Sequence, residues 1–407
     1  MTQGGTCTFQ GQELQQDWAL VADMLPQGWQ DKAKELGALQ RTRGFKDAST
    51  LLRIMFIHLA QGQALRETAV QAKLAGLADV SDVAILKRLN ACGAWFEWMA
   101  NGLGQCLLDM TNPSGQPASP QRIHTERLVP FSAYCPGADT SVQANTASAE
   151  SAKLRLRIVD GTTVKEPGPT GSLWRLHYSV GLPALNCDEV VMSGKRDGES
   201  FRRFAIHAGD VMVADRGYAH PAGIAHVVDA QGHVIVRMNM VTLPLCQRDG
   251  SPFDMLAHCN NLPVGGVGDW PVTVRAGKQL IEGRFCAVRK SEAAAAVSRY
   301  KASQGARKNT QGIRPETLEA ASYVMIFTTL GQQYSAQHIS QMYRARWQIE
   351  LTFKRLKSLV GLGHLKKHSS KAALAWLQGK LLVAFLIEYM LAKAEHFSPW
   401  GYEFKDQ

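Results

Sequence analysis

No CxxC pair and no short Cys/His spacing of the zinc-holding kind occurs in this chain, which removes zinc-ribbon and zinc-finger architectures. Its eight cysteines, Cys7, Cys92, Cys106, Cys135, Cys187, Cys246, Cys259 and Cys286, are scattered, as expected of reduced thiols in a cytoplasmic protein. The opening residues, MTQGGTCTFQGQELQQDW, lack the basic start and apolar run of a secretory signal. A long apolar run is missing too. The most apolar stretch, Leu381 to Leu391, contains Glu388 and is flanked by Lys380 and Lys393, short of the roughly 20 apolar residues that span a bilayer. It is expected to be a buried helix of a protein with no membrane partner. There is no visible internal repeat.

What is present is a basic globular chain. Its 407 residues, 45% of them hydrophobic, are enough for two or three domains with cores of their own. Lys and Arg number 45 against 35 Asp and Glu, a formal charge of +10. That balance favours a polyanionic partner, nucleic acid being the commonest, although a moderately basic enzyme has the same composition.

From Leu14 to about Thr111 apolar residues recur three and four positions apart, as in Leu51, Leu52, Met55, Phe56 and Leu59, so an all-helical N-terminal domain is expected over 1–111. Ala64 to Leu77 reads as a helix, Gly76 and Asp79 as a turn, and Ser81 as the N-cap of a second helix. Such a pair resembles a helix-turn-helix with Lys87 and Arg88 facing DNA, or is an ordinary helical hairpin with a solvated basic edge. Residues 112–152, rich in Pro, Ser, Thr, Ala and Gly, read as a linker.

Residues 153–239 read as the first part of an α/β catalytic core. LRLRIVD alternates Leu154, Leu156 and Ile158 with Arg155 and Arg157, a strand ending at Asp160. Leu173 to Leu182 and Asp188 to Ser193 continue it as an antiparallel meander; Val211 to Ala214 is a short strand ending at Asp215, and Val234 to Met238 a buried one. Residues 240–330 alternate as PVTVRA, LIEGRFCAVR and YVMIFTTL, a mostly β insertion with an exposed polar loop, Ser298 to Arg314. Residues 331–407 return to helices as the second part of the core, with a long helix from about Ser370.

The chemistry concentrates in YRARWQIELTFKRLK, where Tyr343, Arg346, Glu350 and Lys357 are spaced by 3, 4 and 7. On a single helix these four fall within an arc of roughly 60°, beside an apolar arc of Ile349, Phe353, Leu356 and Val360. Ion pairs on a solvated face explain many such stripes; a phenol and a carboxylate on this one, next to the packed face, weaken that explanation. Phosphoryl transfer on DNA needs divalent cations held by carboxylates, and one helix cannot supply them all. Asp160 and Asp215 each close a hydrophobic strand, where a side chain can reach the crevice beyond the sheet, although an Asp there also commonly caps a turn.

The order Asp, Asp, helical Glu resembles the DDE transposases of bacterial insertion sequences. The Tyr343, Arg346, Glu350, Lys357 spacing matches the YREK signature of the insertion sequence 4 type. VDGT at Val159 to Thr162, WRLHY at Trp174 to Tyr178 and ADRGY at Ala214 to Tyr218 are similar to that branch's two Asp motifs. The resemblance implies a ribonuclease-H-like catalytic domain with a β insertion. The separation of 135 positions from Asp215 to Glu350 leaves room for that insertion. It further implies two Mg²⁺ ions, with Mn²⁺ as a substitute, held by Asp160, Asp215 and Glu350. Tyr343, Arg346 and Lys357 would hold phosphates of the terminal inverted repeats, and the protein would act on end and target DNA as a homodimer. Some relatives cut through a DNA hairpin using an insertion aromatic, which makes Trp270 either a base-stacking residue or a core one. Lys354, Arg355, Lys366, Lys367, His368 and Lys371 extend a positive surface suited to backbone contacts, or a merely solvated face. His177 is expected to be a hydrogen-bonded core histidine. Two alternatives share these features: a ribonuclease-H-like nuclease without strand transfer, and a catalytically silent DNA-binding repressor.

Overall fold

The computed structural model describes residues 17–110, 154–165, 173–183, 185–194, 197–238, 240–308, 312–363, 365 and 369–396. The 112–152 stretch read as a linker, and Lys366, Lys367 and His368, lie outside the described residues. The chain forms two compact units, and it passes between them several times.

The first unit takes the described residues of Met1–Thr125, Thr163–Trp174 and Phe353–Gln407. Its N-terminal part is helical as expected: α1 (Trp29–Glu35), α2 (Ala48–Leu59), α3 (Leu65–Leu74), α4 (Asp82–Ala91) and α5 (Gly93–Met110). Asp47 and Ser81 cap α2 and α4 by accepting the N–H groups of Thr50 and Ala84, satisfying amides that have no partner inside the helix. The C-terminal helix α12 (Ser370–His396) packs along α5 and also touches α4 and α2. Gly379 is what permits the approach, since a Cβ there would lie 2.5 Å from Leu59 Cδ1 and 3.1 Å from Phe96 Cδ2. Lys371–Ala394 is, contrary to the expectation from Leu381 to Leu391, long and apolar enough to cross a membrane, yet 67% of its apolar window is buried inside the protein. Within it Lys380, 3% exposed, donates to the carbonyls of Leu59 and Val360, so a buried ammonium finds its partners in the protein.

The second unit, the described residues of Glu126–Thr162 and Arg175–Thr352, is built on one nine-stranded sheet. Its strands are β1 (Arg155–Lys165), β2 (Leu173–Gly181), β3 (Asn186–Ser193), β4 (Asp210–Ala214), β5 (His233–Arg237), β6 (Leu245–Cys246), β7 (Val267–Ala276), β8 (Gln279–Arg289) and β9 (Tyr323–Thr328), in the order β3-β2-β1-β4-β5-β9-β8-β7-β6. β4 lies parallel to both β1 and β5, and the β2–β3 pair is antiparallel. β4 is buried at every position, as a central strand covered on both faces must be. Between β4 and β5 the chain crosses over through α6 (Pro221–Asp229), whose Ile224 and Val227 join Met212, Val236, Phe285 and Phe327 in the core. The strands of 240–330 continue the same sheet, because β9 pairs with both β5 and β8.

Three expectations change. β1 runs on to Lys165, so Asp160 lies within the strand and not at its end. Arg155 and Arg157, read as the polar face of β1, are 7% and 2% exposed. Asp210 on β4 accepts Arg155 Nε and Nη2 at 2.5 and 2.7 Å, while Arg157 meets Asp188 at 2.9 Å, Glu189 at 3.0 Å and Asp210 at 2.9 Å. Neighbouring strands supply the acids that let two guanidinium groups stay inside. The polar stretch Ser298 to Arg314 is not one loop: after the short α7 (Met255–Asn260), α8 (Glu292–Lys308) takes in the stretch as far as Lys308, and α9 (Pro315–Ala320) follows directly beyond it. Alanines 293–296 favour a helix whatever the polarity that follows.

Candidate active site

Asp160 and Asp215 come together because of register. Val159 pairs with Ala214 in the parallel β1–β4 ladder, so the residue after each is one of the two aspartates, on strands roughly 4.8 Å apart. Each carboxylate accepts the next backbone N–H, from Gly161 and Arg216, at 2.7 Å. The crevice at the carboxyl ends of parallel strands is where open α/β sheets place ligands. Burial pushes the Asp160 carboxyl up to about 6; the Gly161 N–H and Arg346 oppose that, while the Glu199 and Asp215 charges add to it.

The YRARWQIE segment is not one continuous helix, which corrects the expectation of a single stripe. α10 (Ala336–Arg344) ends just past Tyr343, and α11 (Trp347–Ser358) begins after Arg346. The N–H groups of Ala345, Arg346, Gln348 and Ile349 bond three residues back, to Met342, Tyr343, Ala345 and Arg346. That is the tighter 3₁₀ winding, in which residues three apart eclipse. It brings Arg346 into line with Tyr343, and its guanidinium then bridges two carboxylates: Nη1 lies 3.5 Å from Asp160 Oδ2, and Nη2 bonds Glu350. Burial disfavours the charge on Arg346, but Tyr343, Glu350 and Asp215 outweigh it and its pKa is raised. Tyr343 is 8% exposed; burial, then the Asp215 charge, raises its hydroxyl, with Arg346 and Arg237 opposing. Glu350 faces solvent, its side chain 58% exposed.

The remaining predicted residues are spread out. Lys354 and Lys357 are exposed on α11, in the stretch belonging to the first unit. Lys87 is exposed on α4, whereas Arg88 donates to the carbonyls of Ala38 and Arg41 and lies 5.5 Å from the Phe45 ring centroid. Trp270, half-buried on β7, stacks on Phe285 with centroids 5.7 Å apart and meets His258 edge-on at 5.5 Å. His177 is fully buried against Ser193 Oγ at 2.8 Å, and burial lowers its pKa to about 4.

Several residues at the site carried no sequence signal. Glu199 comes from an irregular segment, and its carboxylate lies against Gly161 and Gly217. Trp347, between Arg346 and Glu350, is 52% exposed. Arg216 and Arg237 line a cavity of about 480 Å³ with Lys290 and Lys301 and an apolar floor that includes Met238 and Met325. Arg216, which lines this cationic, partly apolar hollow, directly follows Asp215 in the chain.

Comparison with known proteins gives the class. A family model described as the transposase DDE domain matches residues 196–386. The transposase for insertion sequence element IS421 of Escherichia coli is 32% identical over 383 residues, 92% of this chain and 93% of the relative. With such a relative along nearly its whole length, the chain belongs to the transposases of insertion sequences. InsL of insertion sequence elements IS186A and IS186B, from Escherichia coli strain K12, is likewise similar, at 32% over 382 residues in each.

That family implies divalent metal. The donor set suits a hard cation: two adjacent aspartates, with Asp160 held back from ionising by burial and neighbouring negative charge. Glu350 is held on Arg346, and among the described residues no group of three His, Cys, Asp or Glu side chains forms a metal cluster.

Proposed function

We propose that this transposase binds the terminal inverted repeats of its element, frees 3′ hydroxyls with water, and uses them to attack target DNA. The observation that carries the reading is that Asp160 and Asp215 each follow the last pair of the β1–β4 ladder, Val159 with Ala214, with Arg346 joining Asp160 to Glu350. In this reading β3-β2-β1-β4-β5 is a ribonuclease-H-like core and β6 to β9 are its insertion. The spacing of Tyr343, Arg346, Glu350 and Lys357 supports placing the chain in the YREK branch.

Asp160, Asp215 and Glu350 would hold two Mg²⁺ ions, with Mn²⁺ as a substitute. Bound there, the ions supply activation of the attacking oxygen and neutralisation of charge on the leaving one. Arg346, once Glu350 turns from it, has donors for a phosphate in the fork geometry that suits guanidinium. Tyr343 can donate one hydrogen bond to the same group. Arg216, Arg237, Lys290 and Lys301 line a hollow that suits a phosphodiester strand, with the methionines beneath the sugars and bases. Trp347 offers an exposed ring for a base to stack on. Lys354 and Lys357 continue the phosphate contacts along α11, Lys87 on α4 adds one, and two copies acting on paired ends complete the reaction. Trp270 and Arg88, held by neighbours in their own units, are weaker choices for DNA contact.

The test is Mg²⁺-dependent cleavage of DNA carrying the element's ends. Asp160→Asn and Glu350→Gln are each expected to lower the rate on the order of a thousandfold or more, while end binding persists in a gel shift. Wild-type rates in either variant overturn the assignment. A strand-transfer assay with pre-cleaved ends separates this reading from a plain nuclease.

A further inference from the structure

We propose that Glu199 is a fourth carboxylate of the cation site at Asp160 and Asp215, admitted to it by the missing side chains of Gly161 and Gly217. The inference rests on the metal-dependent reading above and adds a ligand that neither strand supplies.

The first observation is steric. A Cβ at Gly217 would stand 2.0 Å from Glu199 Oε2, and one at Gly161 would stand 3.0 Å from Oε1. Gly161 directly follows Asp160, and Gly217 comes two residues after Asp215. One carboxylate therefore fills the space that side chains would take beside both aspartates, and any other residue at 217 displaces it. Neither glycine has a positive φ, so backbone conformation does not demand glycine at either position.

The second observation is a phenol. Tyr218 is fully buried, and its hydroxyl has no hydrogen-bond partner. The charges that act most strongly on it are those of Asp160 and then Glu199. An orphaned buried hydroxyl is costly, and one within the influence of these two carboxylates is a donor that a cation's water can satisfy.

The third is the way Glu199 is held. Phe201, two residues on, is fully buried against the Tyr218 ring with centroids 5.1 Å apart. Arg203 donates to the Gly198 carbonyl at 2.8 Å and lies 3.5 Å from Asp197. The backbone on both sides is thus anchored, yet the carboxylate itself accepts no hydrogen bond among the described residues. The one cation within ion-pair reach there is Arg175, at 3.9 Å. A carboxylate kept only to brace the fold would be expected to accept N–H groups, as Asp210 does from Arg155 and His207. Glu199 instead adds negative charge beside two aspartates, and a divalent cation relieves that repulsion.

The experiment measures Mn²⁺ binding to the full-length, metal-stripped protein by the paramagnetic resonance of free Mn²⁺, alongside thermal melting without metal. Glu199→Gln is expected to weaken Mn²⁺ about ten- to a hundredfold and to leave the metal-free melt unchanged or higher. Gly217→Ala, which pushes the carboxylate away, is expected to weaken Mn²⁺ as much, and the double variant to lose no more than either. Wild-type affinity in Glu199→Gln, with a lowered melt or without one, overturns the proposal while Asp160→Asn still loses Mn²⁺. If Asp160→Asn and Asp215→Asn also bind Mn²⁺ like wild type, the metal reading beneath it fails instead. Should Glu199→Gln not fold, Gly217→Ala decides alone: undiminished affinity there is an overturning result.

Discussion

Glu388 lies within α12, where burial pushes its carboxyl up to about 7 and Arg355 only partly opposes it. Its folded pKa thus exceeds the ordinary 4.5, so the folded state holds the proton more tightly than the unfolded one. The stability this gives is complete below about pH 4.5 and is lost as pH rises to about 7. Glu388→Gln should therefore match the wild type at pH 4.5 and melt higher at pH 8, by about 1 to 2 kcal/mol after allowing for partial exposure. Arg157 argues in the opposite direction. Arg157→Met strands Asp188, Glu189 and part of Asp210 in the interior, and urea unfolding should show a loss of about 3 to 5 kcal/mol. The sequence marked Asp160 and Asp215 because each follows an apolar run, a local pattern. Whether Arg155 and Arg157 faced water depended on acids 30 to 55 positions away, which alternation along β1 cannot register. Glu199 was invisible for the same reason: its significance comes from two glycines on other segments.

At the scale of elements, the arrangement turns on the 3₁₀ turn between α10 and α11. Arg284 on β8 fixes the approach to it. Its Nη1 donates to Leu330, Gly331 and Tyr334 carbonyls at 3.3, 2.7 and 2.8 Å, and its Nε to Asp269 at 3.0 Å, pinning the loop that leads into α10. Arg284→Met should cost about 2 to 4 kcal/mol by leaving those groups unpaired, and DNA cleavage should fall with it even at temperatures where the variant stays folded. Undiminished turnover would mean that α10 needs no such pin. Helix positions were legible from periodicity and caps, as at Ser81. The break after Arg344 was not, since neither Gly nor Pro marks it and it shows only in the bonding of Ala345, Arg346, Gln348 and Ile349 three residues back. The part of α8 from Ser298 onward reads as loop in the sequence because it is polar on most sides, and only the alanines before it argue otherwise.

Over the whole molecule, charge should govern DNA affinity. With a formal charge of +10, end binding should weaken steeply with salt, on the order of a thousandfold between 50 and 200 mM if six or more phosphates are contacted. Arg237→Ala should reduce the slope of log K against log salt by about 1; an unchanged slope would remove the cavity lined by Arg216 and Arg237 from the DNA path. The mixed α/β class and the helical N-terminal region were readable in advance, because both depend on local periodicity. That strands from 240–330 extend the central sheet, and that the last helix joins the first ones, depends on long-range pairing that no window of sequence contains.

That last point bears on how the protein is born. Helices α1 to α5 leave the ribosome well before the helix that covers α5, which starts at Ser370, about 260 residues beyond Met110, and arrives roughly 15 to 60 seconds later at ordinary elongation rates. Until then their apolar faces wait uncovered, and a premature stop anywhere before residue 370 leaves them permanently so. Those helices are thereby completed only after the whole nine-stranded sheet has been made.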